Sequence, residues 1–233
     1  MELEMIKMVK TYDYSGYTVI IGDIIDSKKI KDRKKVQVKF KEILDQVNRV
    51  YEEDIASQFT ITLGDEFQGL LKTGRNIINI ISDIEFAMAP VELRFGIGIG
   101  EISTEINLKY SAEIDGSAYH RARAMVEALT DNAKQYSTKQ ANIMVASQAD
   151  NAEIDHLINS VLSLCSVLKS RWTARQMEII STYLESEANQ YRTAEKLGIG
   201  QSSVSKALSS ANYYSYKAAL DTVDSFLTQI GED

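Results

Sequence analysis

Cysteine, proline and histidine are nearly missing from this 233-residue chain, which holds one, one and two of them respectively. With Cys165 alone, no internal disulfide can close and no cysteine-based zinc site can be assembled. His120 and His156 stand far apart in sequence, which leaves little for a histidine-rich metal site. Hard cations held by carboxylates stay open. Long apolar runs are missing as well. The most apolar stretch, Val161 to Leu168, is too short to span a bilayer, and no basic segment followed by an apolar run opens the sequence. The expected compartment is the cytoplasm, with no membrane partner. Basic charge is in deficit, 26 Lys and Arg against 33 Asp and Glu, and the net charge of −7 argues against indiscriminate coating of nucleic acid. A local basic face is compatible with that sum. Neither Gly nor Pro reaches the excess that marks disorder. The length suits one medium domain plus a compact second one.

What is present falls into two periods. Tyr17 to Ile21 is a β-branched, aromatic run ending at Gly22-Asp23, which predicts a buried strand. From Lys28 to Tyr51 the residues Val36, Phe40, Ile43, Leu44, Val47 and Val50 recur at helical spacing. Phe59 to Leu63 alternates, Gly64-Asp65-Glu66 turns, and Phe67 to Leu71 returns as the second arm of a hairpin. Asn76 to Met88 is again helical, and the only proline, Pro90, closes it. Leu93 to Ile102 alternates apolar residues with Gly, as in a strand closely approached by other backbone. Gly116 to Leu129 reads as a helix and Asn142 to Ala146 as a last short strand. The expected fold class is α/β (α+β): a ferredoxin-like βαββαβ palm with an appended helix and strand over residues 1–150.

Beyond that point strand signals vanish. Ile154, Leu157, Ile158, Val161, Leu162, Cys165 and Leu168 form an apolar stripe, expected as a connecting helix over 151–170. It needs cover from the palm, the next domain or a second subunit, so a homodimer is expected. An all-helical helix-turn-helix domain over 171–233 opens on a capping box, Thr173 to Gln176. Ala194 permits a close helix crossing, Gly198 ends one helix with positive φ, and Val204 and Leu208 pin the next to the core. Ser202 or its neighbour is expected to cap that second helix, whose N-terminus would enter a major groove. Ser202, Ser203, Ser205, Lys206 and Ser209 form the expected DNA-reading face, with Arg192 and Lys196 toward phosphate. That face is rich in Ser and poor in Arg, which predicts modest affinity. Tyr213, Tyr214 and Tyr216 are expected in core or dimer contacts, and an amphipathic last helix carries Leu220, Val223, Phe226, Leu227 and Ile230.

In a βαββ unit the first strand lies beside the hairpin, so Asp23 at a strand end and Asp65 at a hairpin tip can converge at one sheet edge. Two carboxylates that close need a proton or a cation. Mg²⁺ or Mn²⁺ suits, because such ions accept carboxylate and phosphate oxygens together. Asp26 and Glu66 stand near as further ligands or supports. Lys28, Lys29, Lys31, Arg33, Lys34 and Lys35 follow, a charge supply for a triphosphate or simply a solvated helix face.

Asp23-Ile24, Gly64-Asp65-Glu66-Phe67 and Phe95-Gly-Ile-Gly-Ile-Gly100 resemble class III nucleotidyl cyclases and GGDEF diguanylate cyclases. The resemblance implies Asp23 and Asp65 as ligands of Mg²⁺, Ile24 as a carbonyl donor, and Ile25, Asp26 and Ser27 as backbone N–H donors to phosphates beside Lys28. With IGDIIDSKK, LGDEFQGLL, RFGIGIGEI, DGSAYHRAR and the terminal helices included, the whole chain is similar to the bacterial SatD family. The cyclase pattern is incomplete. Its base-selecting Lys or Arg falls on Ile61, and its Asn and Arg of the transition state fall on His120 and Ala124. Arg121 and Arg123 are the neighbouring cations, with ion pairing to Glu113 or Glu127 as their structural alternative. Arg123 matches better the Lys of the GGDEF pattern. The leading expectation is a DNA-binding transcriptional regulator with a metal- and nucleotide-binding sensor palm. A pyrophosphate-releasing nucleotidyl cyclase or related transferase, and a degenerate structural protein, are the other two.

Overall fold

The structure is a computed structural model describing residues 16–62, 64–135 and 141–228. The expected ends at Leu63 and Ile230, and the outermost parts of the first and last domain ranges, lie outside the described residues.

Five strands form one sheet: β1 (Tyr17–Ile24), β2 (Ile55–Ile61), β3 (Glu66–Leu71), β4 (Leu93–Gly100) and β5 (Ile143–Ala146), in the order β2-β3-β1-β4-β5. The central strand, β1, runs antiparallel to both neighbours, while β5 joins β4 in parallel. Side chains of a strand alternate between faces. On one face Ile20, Ile24, Phe67 and Phe95 meet α1 (Arg33–Val50) and α2 (Ile77–Met88). Phe40, Phe67 and Phe95 stack edge to face there, with centroids 5.1 and 5.8 Å apart. On the other face Val19, Ile21 and Leu70 meet α3 (Ser117–Gln135). A Cβ at Gly98 would lie 2.0 Å from the Ala118 carbonyl oxygen, and one at Gly96 2.1 Å from that of Ala122. The glycine alternation of β4 thus lets α3 rest on the strand at backbone distance.

Both rims of the sheet are occupied. Beyond β5 runs α4 (Ala152–Ser170), whose Asn159 amide donates to the Val145 carbonyl and accepts from the Val145 N–H, both at 2.8 Å. One side chain so imitates the missing sixth strand. Along β2, Gln58 N–H donates to the Leu108 carbonyl and Ser57 Oγ to that of Asn107.

The tail comprises α5 (Ala174–Glu185), α6 (Gln190–Leu197), α7 (Gln201–Ser210) and α8 (Tyr213–Thr228). The Thr173–Gln176 capping box is present, and Gly198 is left-handed, with φ 63°. Within α4, Ile154, Ile158, Leu162 and Cys165 are buried, but Leu157 is 58% exposed, so the expected stripe is not covered along its whole width. Tyr213 and Tyr216 are buried, their rings packed on Trp172, while Tyr214 is exposed.

Boundaries moved where tertiary pairing overrode local signals. The first strand continues past Gly22 to Ile24, because it is paired on both sides. The first helix starts only at Arg33, capped by Asp32, after a turn in which Asp26 is left-handed (φ 55°). Ser202 does not cap α7: Gly200 holds that position without a side-chain bond, so the helix starts two residues earlier than a cap at Ser202 would set it.

Candidate functional site

The register of the sheet builds the acidic site. Asp23 lies opposite Glu66 of β3 on one side and opposite Arg94 of β4 on the other. Two residues beyond Ile21, it shares the face that α3 covers. Arg94 Nε donates to Asp23 Oδ1 at 2.8 Å, and Arg94 Nη1 donates to Thr130 Oγ1 of α3 at 2.7 Å. Arg123, about two turns earlier on α3, reaches Glu66 at 3.4 Å. A row of alternating charge results, Arg94, Asp23, Glu66, Arg123. Burial pushes the Asp23 carboxyl above its ordinary value, Arg94 pulls it back, and the charges of Asp65 and Glu66 push it up further. Asp65 sits in the hairpin turn, whose Gly64 carbonyl accepts from Gln37 Nε2 of α1 at 3.0 Å.

The expected phosphate loop is placed only in part. Ile25 N–H donates to the Glu92 carbonyl at 2.9 Å and so is engaged with protein. Asp26 is exposed and pairs with Lys29 at 2.9 Å, and Ile24 ends β1. Ser27 and Lys28 lie in the following turn, Lys28 in solvent. The basic run from Lys31 to Lys35 is likewise exposed.

Of His120, Arg121 and Arg123, which lie near the cyclase pattern, Arg123 reaches the acidic row through Glu66. Arg121 donates to the Ile99 carbonyl at 2.5 Å, and His120 is exposed beside Asp115. Among the described residues neither arginine pairs with Glu113 or Glu127, because α3 lies with Arg123 toward Glu66 of β3 and Arg121 on the Ile99 carbonyl. Sequence reasoning missed Arg94. Parity with Gly96 and Gly98 places it on the face toward α3, but only the register of β1 against β4 brings it to Asp23.

Among the described residues no group of three or more His, Cys, Asp or Glu side chains could hold a metal ion. The Arg94 guanidinium already stands as counter-ion to Asp23, so a two-ion centre there would have to displace it. A single Mg²⁺ or Mn²⁺ that brings phosphate oxygens with it fits better, since such an ion needs only one or two carboxylates.

In the tail, Ser202, Ser203, Lys206 and Ser209 face solvent on α7, and Ser205 is half-buried. Val204 and Leu208 on the opposite side are fully buried. Arg192 is paired with Glu187 at 2.5 Å, and Lys196 approaches the Glu185 carbonyl at 3.4 Å. No helix among the described residues is long and apolar enough to cross a membrane.

No curated protein sequence matches the chain. Similar solved structures include a bacterial light-regulated adenylyl cyclase, 16% identical over 67% of this chain and 80% of that one, with TM-score 0.40. The catalytic core of a rhodopsin-guanylyl cyclase with converted specificity, in complex with ATPαS, is 15% identical over 63% and 85%, with TM-score 0.37. A regulator of polyketide synthase expression from Bifidobacterium adolescentis is 13% identical over 91% and 84%, with TM-score 0.28. At these identities the likeness concerns fold alone. The SatD family model matches residues 17–223, nearly the whole described length, and the chain belongs to the SatD family.

Proposed function

We propose that the chain is a DNA-binding transcriptional regulator whose palm takes up a nucleotide with a divalent ion and does not turn it over. The observation that carries the DNA reading is α7 itself. Its buried Val204 and Leu208 fix the helix, and Ser202, Ser203, Lys206 and Ser209 are left outward beyond a left-handed Gly198. Ser205, Arg192 and Lys196 would support that face from its margins.

The palm reading rests on the edge where Asp23 lies opposite Glu66 and within reach of the Asp65 charge. Asp23 and Asp65 would hold the ion, which when bound supplies charge neutralisation to phosphates; Ser27, Lys28 and the backbone after Ile24 would meet the phosphates themselves. Turnover is not proposed, because a transition-state cation is a large part of such catalysis. Arg121 is committed to β4 and Arg123 to Glu66. Dimerisation is supported by the exposed Leu157 and Leu164 of α4.

Retardation of the DNA upstream of the chain's own gene tests the first half. Binding is expected at low salt and weaker in Lys206→Ala; no retardation at low salt would end the DNA reading. Melting of the protein with each nucleoside triphosphate and Mg²⁺ or Mn²⁺ tests the second. A nucleotide-dependent rise without pyrophosphate release supports the sensor, whereas release abolished by Asp23→Ala would make the palm an enzyme.

A further inference from the structure

A cleft of about 960 Å³ opens where the strand ends of the palm meet α4 and α5, within the size range of small-molecule sites. Phe86, Pro90, Leu93, Leu129, Trp172 and Met177 supply apolar wall. The palm contributes the first four and the helical tail the last two, so the cleft exists only because the two are docked.

One wall is polar and rigid. Lys169 Nζ lies 2.6 Å from Glu85 Oε2, with side chains only 17% and 8% exposed. Asn142 Nδ2 donates to Glu85 Oε1 at 2.5 Å, and Ser166 Oγ donates to Asn142 Oδ1 at 2.7 Å. Both Glu85 oxygens are therefore occupied by protein donors. An ammonium carries three N–H groups and accepts nothing. Lys169, which also sits 5.2 Å over the Phe86 ring, is thus the group of this network that has donors to offer an occupant.

We propose that this cleft is a second ligand site, built for a small molecule with a planar apolar body and one acceptor or anionic group directed at Lys169. Aromatic and aliphatic walls select the body, and the half-buried Lys169 ammonium orients its acceptor. The site is separate from the Asp23 edge, although Arg94 lines both. Its position also gives it reach: Trp172 Nε1 donates to the carbonyl of Ala211, the residue that ends α7, at 2.8 Å.

Trp172 is the only tryptophan, which makes the test direct. The full chain is titrated with anilinonaphthalene sulfonate, a planar apolar body with one anionic group, while tryptophan is excited. Saturable, one-site sensitised emission is expected. In Ala133→Phe and Ala174→Phe, exposed positions that line the cleft and leave the core untouched, apparent affinity should fall about tenfold or more, roughly 1.4 kcal/mol. Lys169→Met should weaken the sulfonate, but not an uncharged naphthalene analogue, by a similar factor. Emission that survives both filling variants and disappears in Leu157→Ser instead would place the dye on the exposed row of α4 and overturn the proposal, as would no binding. No DNA enters the experiment, so its failure leaves the DNA reading standing, and the reverse holds.

Discussion

Asp23 is a carboxylate kept under tension. Its burial and its two acidic neighbours push its proton affinity up, and Arg94 opposes them with less effect. An acid whose folded pKa is raised binds more protons folded than unfolded, so its contribution favours the fold at low pH and is lost as pH rises through the folded value. Denaturant melts of the wild type and of Asp23→Asn should therefore diverge as pH rises from the ordinary carboxylate value of 3.8 toward neutrality, with the variant gaining relative to the wild type. Parallel pH profiles for the two would show that Arg94 fully compensates the carboxylate. Replacing Arg94 by Met removes the counter-ion from a half-buried acid and should cost about 3 kcal/mol, read as a shift in urea midpoint. If Mg²⁺ enters with a nucleotide, that same variant should bind it more tightly, because one competitor for Asp23 is gone.

At the scale of elements, two contacts carry more than their size suggests. Gly98→Ala puts a methyl group into the Ala118 carbonyl, and either α3 or β4 must move; about 1–3 kcal/mol of stability should be lost in equilibrium unfolding. Asn159→Leu keeps the bulk of the side chain but leaves the Val145 N–H and carbonyl without partners. It should cost about 2 kcal/mol and promote association through β5, visible in sedimentation. Element order was legible in the sequence, because the β-branched run after Tyr17, the alternation from Leu93 and the helical spacing of Phe40, Ile43, Leu44 and Val47 are backed by burial, although Val50 at the end of that helical row is exposed. Asp23 and the hairpin acids were legible for the same reason, since a strand end and a hairpin turn fix where their backbones go. Arg94 was not, because only the register between β1 and β4 pairs it with Asp23, and sequence spacing carries no register between strands that far apart. The Ser202 cap failed on local competition: Gly200 tolerates the extended cap conformation and the helix starts there.

For the whole molecule, the palm and tail are bound to one another by apolar packing as well as by polar contacts. Leu162 and Cys165 of α4 and Leu220, Val223 and Leu227 of α8 share a core with Ile77, Ile80 and Ile84 of α2. A tail docked this way cannot be read from its own sequence, whose stripe on α4 specifies that cover is needed without saying what gives it. The cleft beside it was invisible for that reason. DNA affinity should be low and only moderately sensitive to salt. With Lys206, Lys196 and Arg192 as the exposed cations near α7, the log–log salt slope of retardation should be no steeper than about −3. A slope near −8 would mean that a different, more basic surface makes the contact.

The Asn159 amide on one side and the Leu108 carbonyl on the other each take up outward-facing backbone groups of an edge strand. Strand addition at Val145 or Gln58 would have to displace these partners first. An association of copies that leaves these partners in place would rest on side-chain shape, which single substitutions can tune and which can be undone without unravelling either fold.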